Sequence, residues 1–128
     1  MQSQPANALE RALKAFKTLI AAIHEAVVKH NASGGKLLEV SERAQRVEVF
    51  QHGLIFPSLT LQFDAASAQI SYVRPSRAMN KPADEGTIVP GYNEVFLLVD
   101  ASGTAHRIAC RKLAVFLLAP AIQNREAD

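Results

Sequence analysis

Aromatic residues are scarce in this sequence: they make up 6% of it, and tryptophan is absent. Surfaces that bind single-stranded nucleic acid stack aromatic side chains on the bases, so this scarcity argues against such a partner. The formal net charge of +2 is also too small to indicate duplex nucleic acid or an anionic membrane. We therefore expect neither a nucleic-acid partner nor a membrane partner.

Disulfide bonds within the chain are excluded, because it contains a single cysteine, Cys110. An unpaired thiol fits a reducing compartment. The N-terminus lacks the basic region and uninterrupted apolar stretch of a signal peptide. The most apolar runs, residues 18–28 and 113–122, are much shorter than the roughly 20 residues that span a bilayer. We expect a cytoplasmic protein of one domain, residues 1–128.

Large apolar residues recur at helical spacing near the N-terminus. They are Leu9, Leu13, Phe16, Ile20, Ile23 and Val27. This spacing puts all six on one stripe and predicts an α-helix over residues 7–30, with Phe16 and Ile20 almost free of solvent. Asn7, with Glu10 in the capping-box position, has the pattern of an N-terminal cap. A glycine pair soon after the helix marks its end.

Beyond the glycine pair the apolar period changes from helical to two, which predicts β-strands. Strands are predicted at residues 46–51, 58–63, 69–73, 94–99 and 104–109. Residues 36–44 fit either a strand or a turn of helix, and we favour a strand. Short turns join residues 58–63 to 69–73 and 94–99 to 104–109, so each pair is expected to form an antiparallel hairpin.

Prolines and glycines punctuate residues 74–92, which predicts a long irregular loop. Residues 111–119 predict a short helix that Pro120 ends. Because the strands follow one another without intervening helices, the sequence predicts an α+β fold: a long N-terminal helix packed on an antiparallel sheet of about five strands, with a short C-terminal helix. In element order this resembles cystatin-like and related folds, which host enzymes, binding proteins and structural modules alike.

The sequence contains no recognisable cofactor or metal motif. Residues 33–36 read Ser-Gly-Gly-Lys, as at the end of a phosphate-binding loop, but they follow a helix and the other motif positions do not match. The four histidines and Cys110 lack metal-ligand spacing. Cys110 lies where the last helix is predicted to begin, which favours a lowered thiol pKa, and His106 is close in sequence, yet no oxyanion motif accompanies them. We favour a structural cysteine, no cofactor and no catalytic residue.

Basic residues gather at one end of the predicted hairpins. Arg74, Arg77 and Lys81 stand in the long loop, and Arg107 lies near the end of the last strand. If the hairpins are neighbours, these four side chains face one anion, which predicts a binding site for an acidic protein segment or a small anion. The alternative is an ordinary solvated surface. As loop residues, Arg74 and Arg77 are expected to tolerate replacement by alanine with folding nearly intact.

Two function classes remain open. We favour a non-catalytic interaction module that forms a homodimer, because the last helix carries more apolar residues than one sheet face is expected to cover. These residues are Leu113, Val115, Phe116, Leu117 and Leu118. The alternative is a small-ligand-binding protein or minor enzyme, with a pocket between the long helix and the curved sheet that residues 74–92 close. A pocket lined by His52, Tyr72 or His106 together with an acid would favour that alternative.

Overall fold

The fold is described by a computed structural model that covers residues 3–75 and 82–123, with side chains for residues 8–75 and 82–122. Its elements in chain order are α1 (Ser3–Ala32), β1 (Leu38–Arg43), β2 (Arg46–Gln51), β3 (Leu59–Asp64), β4 (Gln69–Arg74), β5 (Asp84–Pro90), β6 (Val95–Val99), β7 (Ala105–Ala109) and α2 (Cys110–Gln123). All seven strands form one antiparallel sheet in sequence order. The predicted α+β architecture is confirmed, with seven strands instead of about five.

Helix α1 begins earlier than its sequence pattern indicates. The backbone is already helical at Ser3, so Asn7 lies within the helix and the prediction that it caps the N-terminus is wrong. Pro5 stands in the first turn, where the N–H that proline lacks has no helical acceptor to lose. A proline at this position therefore allows the helix to start before Asn7.

The buried stripe of α1 is rotated relative to the predicted one. Phe16 is only 2% exposed, as predicted, but Ile20 is half-buried rather than almost free of solvent. Leu19 is fully buried in its place. The reason is that α2 packs beside α1, so α1 buries a stripe that turns toward both the sheet and the second helix.

Both helices cover the same face of the sheet, and the side chains that alternate toward them form the core. On the strands these buried hydrophobic residues are Leu38, Val47, Val49, Leu59, Leu61, Phe63, Ile70, Tyr72, Ile88, Phe96 and Leu98. The rings of Phe16 and Phe63 pack with their centroids 5.5 Å apart. The core thus lies in a single layer between helices and sheet. Among the residues described, no helix is long and apolar enough to cross a membrane.

Strand β5 occupies part of the segment that the sequence predicts to be irregular, and that prediction is wrong for residues 84–90. Gly86 pairs with Tyr72 of β4 at the centre of the sheet. A Cβ atom on Gly86 would collide with the Val99 carbonyl oxygen and would lie 2.9 Å from a ring carbon of Tyr72. The glycine therefore permits a close approach between strands, and it does not mark a loop.

The two predicted hairpins are confirmed as β3–β4 and β6–β7. Residues 38–43 are a strand, as favoured over a helical turn, and pair with β2. Helix α2 does not end before Pro120 as predicted, because it continues through this proline to Gln123. A side chain from the sheet, Arg74, donates a hydrogen bond to the Phe116 carbonyl in this part of the helix.

The buried position of Phe16 gives a stability prediction. Replacing Phe16 by alanine should lower the free energy of unfolding by about 3–5 kcal/mol, because the remaining cavity faces Phe63 and the sheet. Replacing Val28 by alanine on the same helix should change it by less than about 0.5 kcal/mol, since Val28 is 65% exposed. Urea denaturation of the two variants measures both effects. Equal midpoints for both variants would show that Phe16 is not part of the core.

Candidate functional site

Arg74, the first residue of the predicted anion site, points toward α2 from the end of β4. Its side chain is 11% exposed and forms an ion pair with Asp84, the first residue of β5. Its Nη1 donates a hydrogen bond to the Phe116 carbonyl oxygen at 2.6 Å, and its guanidinium lies 4.1 Å from the centroid of the Phe116 ring. The guanidinium is thus engaged with three elements of the fold.

The bond to Phe116 explains how α2 continues past Pro120. In a helix the N–H of residue 120 would donate to the carbonyl of Phe116, but proline has no N–H. Arg74 supplies the missing donor to that carbonyl. Because a buried carbonyl without a donor is costly, this contact makes Arg74 a structural residue.

Arg107, another of the predicted anion-binding residues, does not join Arg74. Arg107 is exposed on β7, on the sheet face opposite the helices, whereas Arg74 lies on the helix-covered face. Three strand spacings of about 4.8 Å separate their strands. Arg77 and Lys81 lie outside the described residues. Binding of an anion by Arg77, Lys81 and Arg107 therefore stays a prediction, and Arg74 has partners within the chain.

The polar groups that would favour an enzyme or a ligand pocket do not converge. His52 is exposed, with its Nδ1 3.2 Å from Glu39 Oε2, and His106 is exposed on β7. Tyr72 is buried beneath the helices. Burial raises the pKa of Tyr72, and the nearby Asp84 carboxylate raises it further. These three side chains belong to separate environments, so they form no common site.

Cys110 is buried at the junction of β7 and α2. Its Sγ lies 3.8 Å from the Thr18 carbonyl oxygen as a weak donor. Burial raises the pKa of this thiol, Glu94 adds to the rise, and Arg111 opposes it. His106 is separated from Cys110 by four steps along an extended strand, about 13 Å at the usual rise per residue. The structure therefore does not place the two side chains as a nucleophile and its base.

Packing of the core side chains also limits where a ligand could bind inside the fold. The space between α1 and the sheet is occupied by core side chains. A cleft of about 480 Å³ lies elsewhere, at the C-terminal end of α1, and its lining residues are His30, Ser33, Gly34, Gly35, Lys36, Gln51 and Ile122. Carbonyl groups at a helix C-terminus disfavour anions, and His30 Nε2 already donates to the Lys36 carbonyl at 2.7 Å. In the described part of the chain, no group of three or more His, Cys, Asp or Glu could hold a metal ion.

The sheet face opposite the helices, called the outer face, has two chemically different halves. The half formed by β1–β3 is mainly polar, with Arg46, Glu48, Thr60 and Gln62, and its one large apolar residue is Phe50. The other half carries aliphatic side chains, which are Val73, Val89, Val95, Leu97 and Val99. Val89, Leu97 and Arg107 form one row across β5, β6 and β7. We call these five aliphatic residues the aliphatic half; both helices lie on the opposite side of the sheet.

The loop between β2 and β3 exposes a second apolar feature. Ile55 and Phe56 are 82% and 73% exposed, and Leu54 beside them is also exposed. Leu37 is exposed at the same end of the sheet, where its carbonyl accepts a hydrogen bond from His52 N–H. Sequence reasoning missed this loop, although three large apolar residues in succession next to Gly53 were a visible signal.

The apolar surplus on the last helix, which motivated the homodimer prediction, is mostly used within one chain. Leu113, Leu117 and Leu118 are fully buried, and Phe116 is half-buried beneath Arg74. Val115 alone among the five predicted residues is largely exposed. Helix α2 therefore offers little apolar surface to a second copy.

No protein-family model, curated protein or solved structure matches this chain. The proposals below therefore depend on the geometry of the chain itself.

Loss of the Arg74 contacts should destabilise the protein. Replacing Arg74 by alanine leaves the Phe116 carbonyl without its donor and Asp84 without its partner, so the free energy of unfolding should fall by about 2–3 kcal/mol. Arg11, which lies over the Tyr92 ring at 5.2 Å on the surface, is the control, and its replacement by alanine should cost about 0.5–1 kcal/mol. Denaturant unfolding compares the two. Similar losses would show that Arg74 is an ordinary surface residue.

The buried thiol predicts a pH dependence. Because the pKa of Cys110 is raised in the folded state, its contribution to stability is fully present below the unfolded pKa of about 8.5 and is lost as pH rises through the folded value. A Cys110→Ala variant should lack this decline in alkaline solution. Native Cys110 should also react slowly with a disulfide reagent and rapidly after unfolding. A native thiol that titrates below about 8.5 would contradict both expectations.

Proposed function

We propose that this chain is a non-catalytic interaction module that forms a homodimer through its outer face, with the aliphatic half at the centre of the interface. The observation that carries the proposal is the placement of five aliphatic side chains on the face that neither helix covers. Removing such a surface from water is the dominant favourable term in protein association.

The dimensions of the outer face suit a second copy of the chain. The seven strands lie about 4.8 Å apart, and each rises about 3.3 Å per residue. These dimensions give the flat backbone plane of the face an area of roughly 600 Å², to which the projecting side chains add further surface. A standard stable interface buries about 800 Å² on each partner. The aliphatic half would form the apolar centre, and Arg46, Glu48, Thr60 and Gln62 would form a polar rim, the usual division of an interface.

A two-fold arrangement places the same surface on both partners. Sheets that pack face to face lie about 10 Å apart and interdigitate their side chains. An isologous dimer of this kind lets the aliphatic half of one copy cover the aliphatic half of the other, and its two-fold symmetry closes the assembly at two copies. The unpaired thiol of Cys110 suits a reducing compartment, and we place this module in the cytoplasm.

A lysine at the centre of the aliphatic half should prevent self-association. Val89→Lys puts a charge where the copies meet, while Thr60→Lys puts the same charge on the polar half; both parent residues are β-branched, half-buried and on the outer face. Light scattering from micromolar to millimolar concentration should show a dimer for the parent and for Thr60→Lys, and a monomer for Val89→Lys.

Two outcomes would overturn the proposal. A parent chain that stays monomeric over that range has no such interface. Dimers that persist equally in both variants use another surface, such as the loop with Ile55 and Phe56. Circular dichroism of both variants checks that the sheet is intact.

A further inference from the structure

The two edge strands of the sheet differ in how their backbone groups are satisfied. On β1, Asn31 of α1 caps one outward-facing residue: its Oδ1 accepts from the Leu38 N–H at 2.9 Å, and its Nδ2 donates to the Leu38 carbonyl at 3.1 Å. Further along β1, the backbone groups of Val40 and Glu42 also face outward. One amide side chain thus takes the place of a neighbouring strand at Leu38. Proteins commonly protect edge strands in such ways, because an open edge invites another strand.

Strand β7 has an open edge. Cys110 N–H donates to the Glu94 carbonyl at 2.9 Å, and Asp100 N–H donates to the Thr104 carbonyl at 3.0 Å. Since the antiparallel ladder alternates, residues 106 and 108 bond to β6, and residues 105, 107 and 109 direct their backbone N–H and C=O groups outward. In the described part of the chain, no side chain or backbone group bonds to these outward groups. All residues of β7 except Ile108 are exposed.

The surroundings of this edge are basic. His106 and Arg107 stand on the strand itself, and Arg111 and Lys112 follow it in the first turn of α2; all four are exposed. The Asp100 carboxylate at the start of the hairpin turn accepts hydrogen bonds from Ser102 and from the Thr104 N–H at 2.9 Å, so it is engaged locally. An incoming strand would therefore meet unpaired backbone groups together with positive side chains.

We propose that β7 binds an extended acidic segment of another protein by strand addition. This inference deepens the proposed interaction function and rests on it. Backbone hydrogen bonds to residues 105, 107 and 109 would hold the segment, and acidic side chains on the outer-face side would pair with Arg107.

A second copy of the chain fits this edge less well than an acidic segment does. Antiparallel self-pairing that uses all three outward residues must put Arg107 directly opposite the Arg107 of the other copy. Residues opposite each other in an antiparallel pair lie about 5 Å apart, and like charges in that position are destabilising. Strand registers that move the two arginines apart leave some of the outward N–H and C=O groups of residues 105, 107 and 109 without a partner. The positive charge of Arg107 therefore disfavours pairing of β7 with the β7 strand of a second copy.

The probe is a fluorescein-labelled peptide of alternating valine and glutamate, with a valine–lysine peptide of equal length as its counterpart. Anisotropy at low salt should show binding of the glutamate peptide only, weakening as salt rises. Arg107→Glu should reduce the affinity about tenfold or more. Arg43→Glu is the matched control, because Arg43 is an exposed outer-face arginine on the opposite edge strand, and it should leave the affinity within about twofold.

A backbone test complements the charge test. Ala105→Pro removes an outward N–H at the first residue of an edge strand, where proline is tolerated. It should weaken the peptide about fivefold, the effect of one lost hydrogen bond. Hydrogen exchange should show the amides of Arg107 and Ala109 becoming protected when the peptide binds.

The outcomes separate this inference from the homodimer. Val89→Lys should bind the glutamate peptide as the parent does. If this variant is a monomer and still binds the peptide, the site at the β7 edge exists independently of the dimer. Failure of the peptide to bind the parent at millimolar concentration would overturn the inference, as would equal binding by Arg107→Glu and Arg43→Glu. Equal binding of the lysine peptide would show that charge does not select the partner.

Discussion

The hydrogen bond from Arg74 to the Phe116 carbonyl is the contact on which the arrangement of the second helix depends. Pro120 removes the helical donor to that carbonyl, and without a replacement α2 would end before it. Because Arg74 replaces the donor, α2 continues over the sheet to where the Gln51 side chain donates to the Ala121 carbonyl at 2.7 Å. A residue of β4 thus decides how much of the sheet α2 covers.

The two helices cover most of one face of the sheet, so the proposed binding surfaces lie on the opposite face and at the β7 edge. Both helices use the same side of the sheet, and the space beneath them is filled by buried side chains. A fold packed in this way leaves little room for an internal ligand, so its chemistry is confined to the outer face, the loop ends and the sheet edges. The aliphatic half and β7 adjoin one another there, through the row that contains Leu97 and Arg107.

Local patterns predicted the elements whose cause is local. Helical spacing located α1, and alternation located most strands, because each pattern reflects burial of one face. Strand β5 escaped prediction, since Gly86 is required by contacts with Tyr72 and Val99 that no local pattern contains. Arg74 was assigned to an anion-binding loop for the same reason: its contact with the Phe116 carbonyl arises from Pro120, which is distant in sequence. Neither the capping of β1 by Asn31 nor the open edge of β7 could be predicted before the strand order was known.

The difference between the two edges determines what kind of complex this sheet can form. An open sheet with two free edges can add strands at both ends and grow into a fibre. Here Asn31 occupies the backbone groups of Leu38, and a hydrogen bond between His24 and the Glu42 carboxylate joins α1 to the same strand. The cap opposes strand addition at the first residue of β1, and Arg107 disfavours the chain's own strand at β7. Under the proposed strand addition an acidic segment would occupy the β7 edge, and the outer face would remain free for the proposed contact with a second copy.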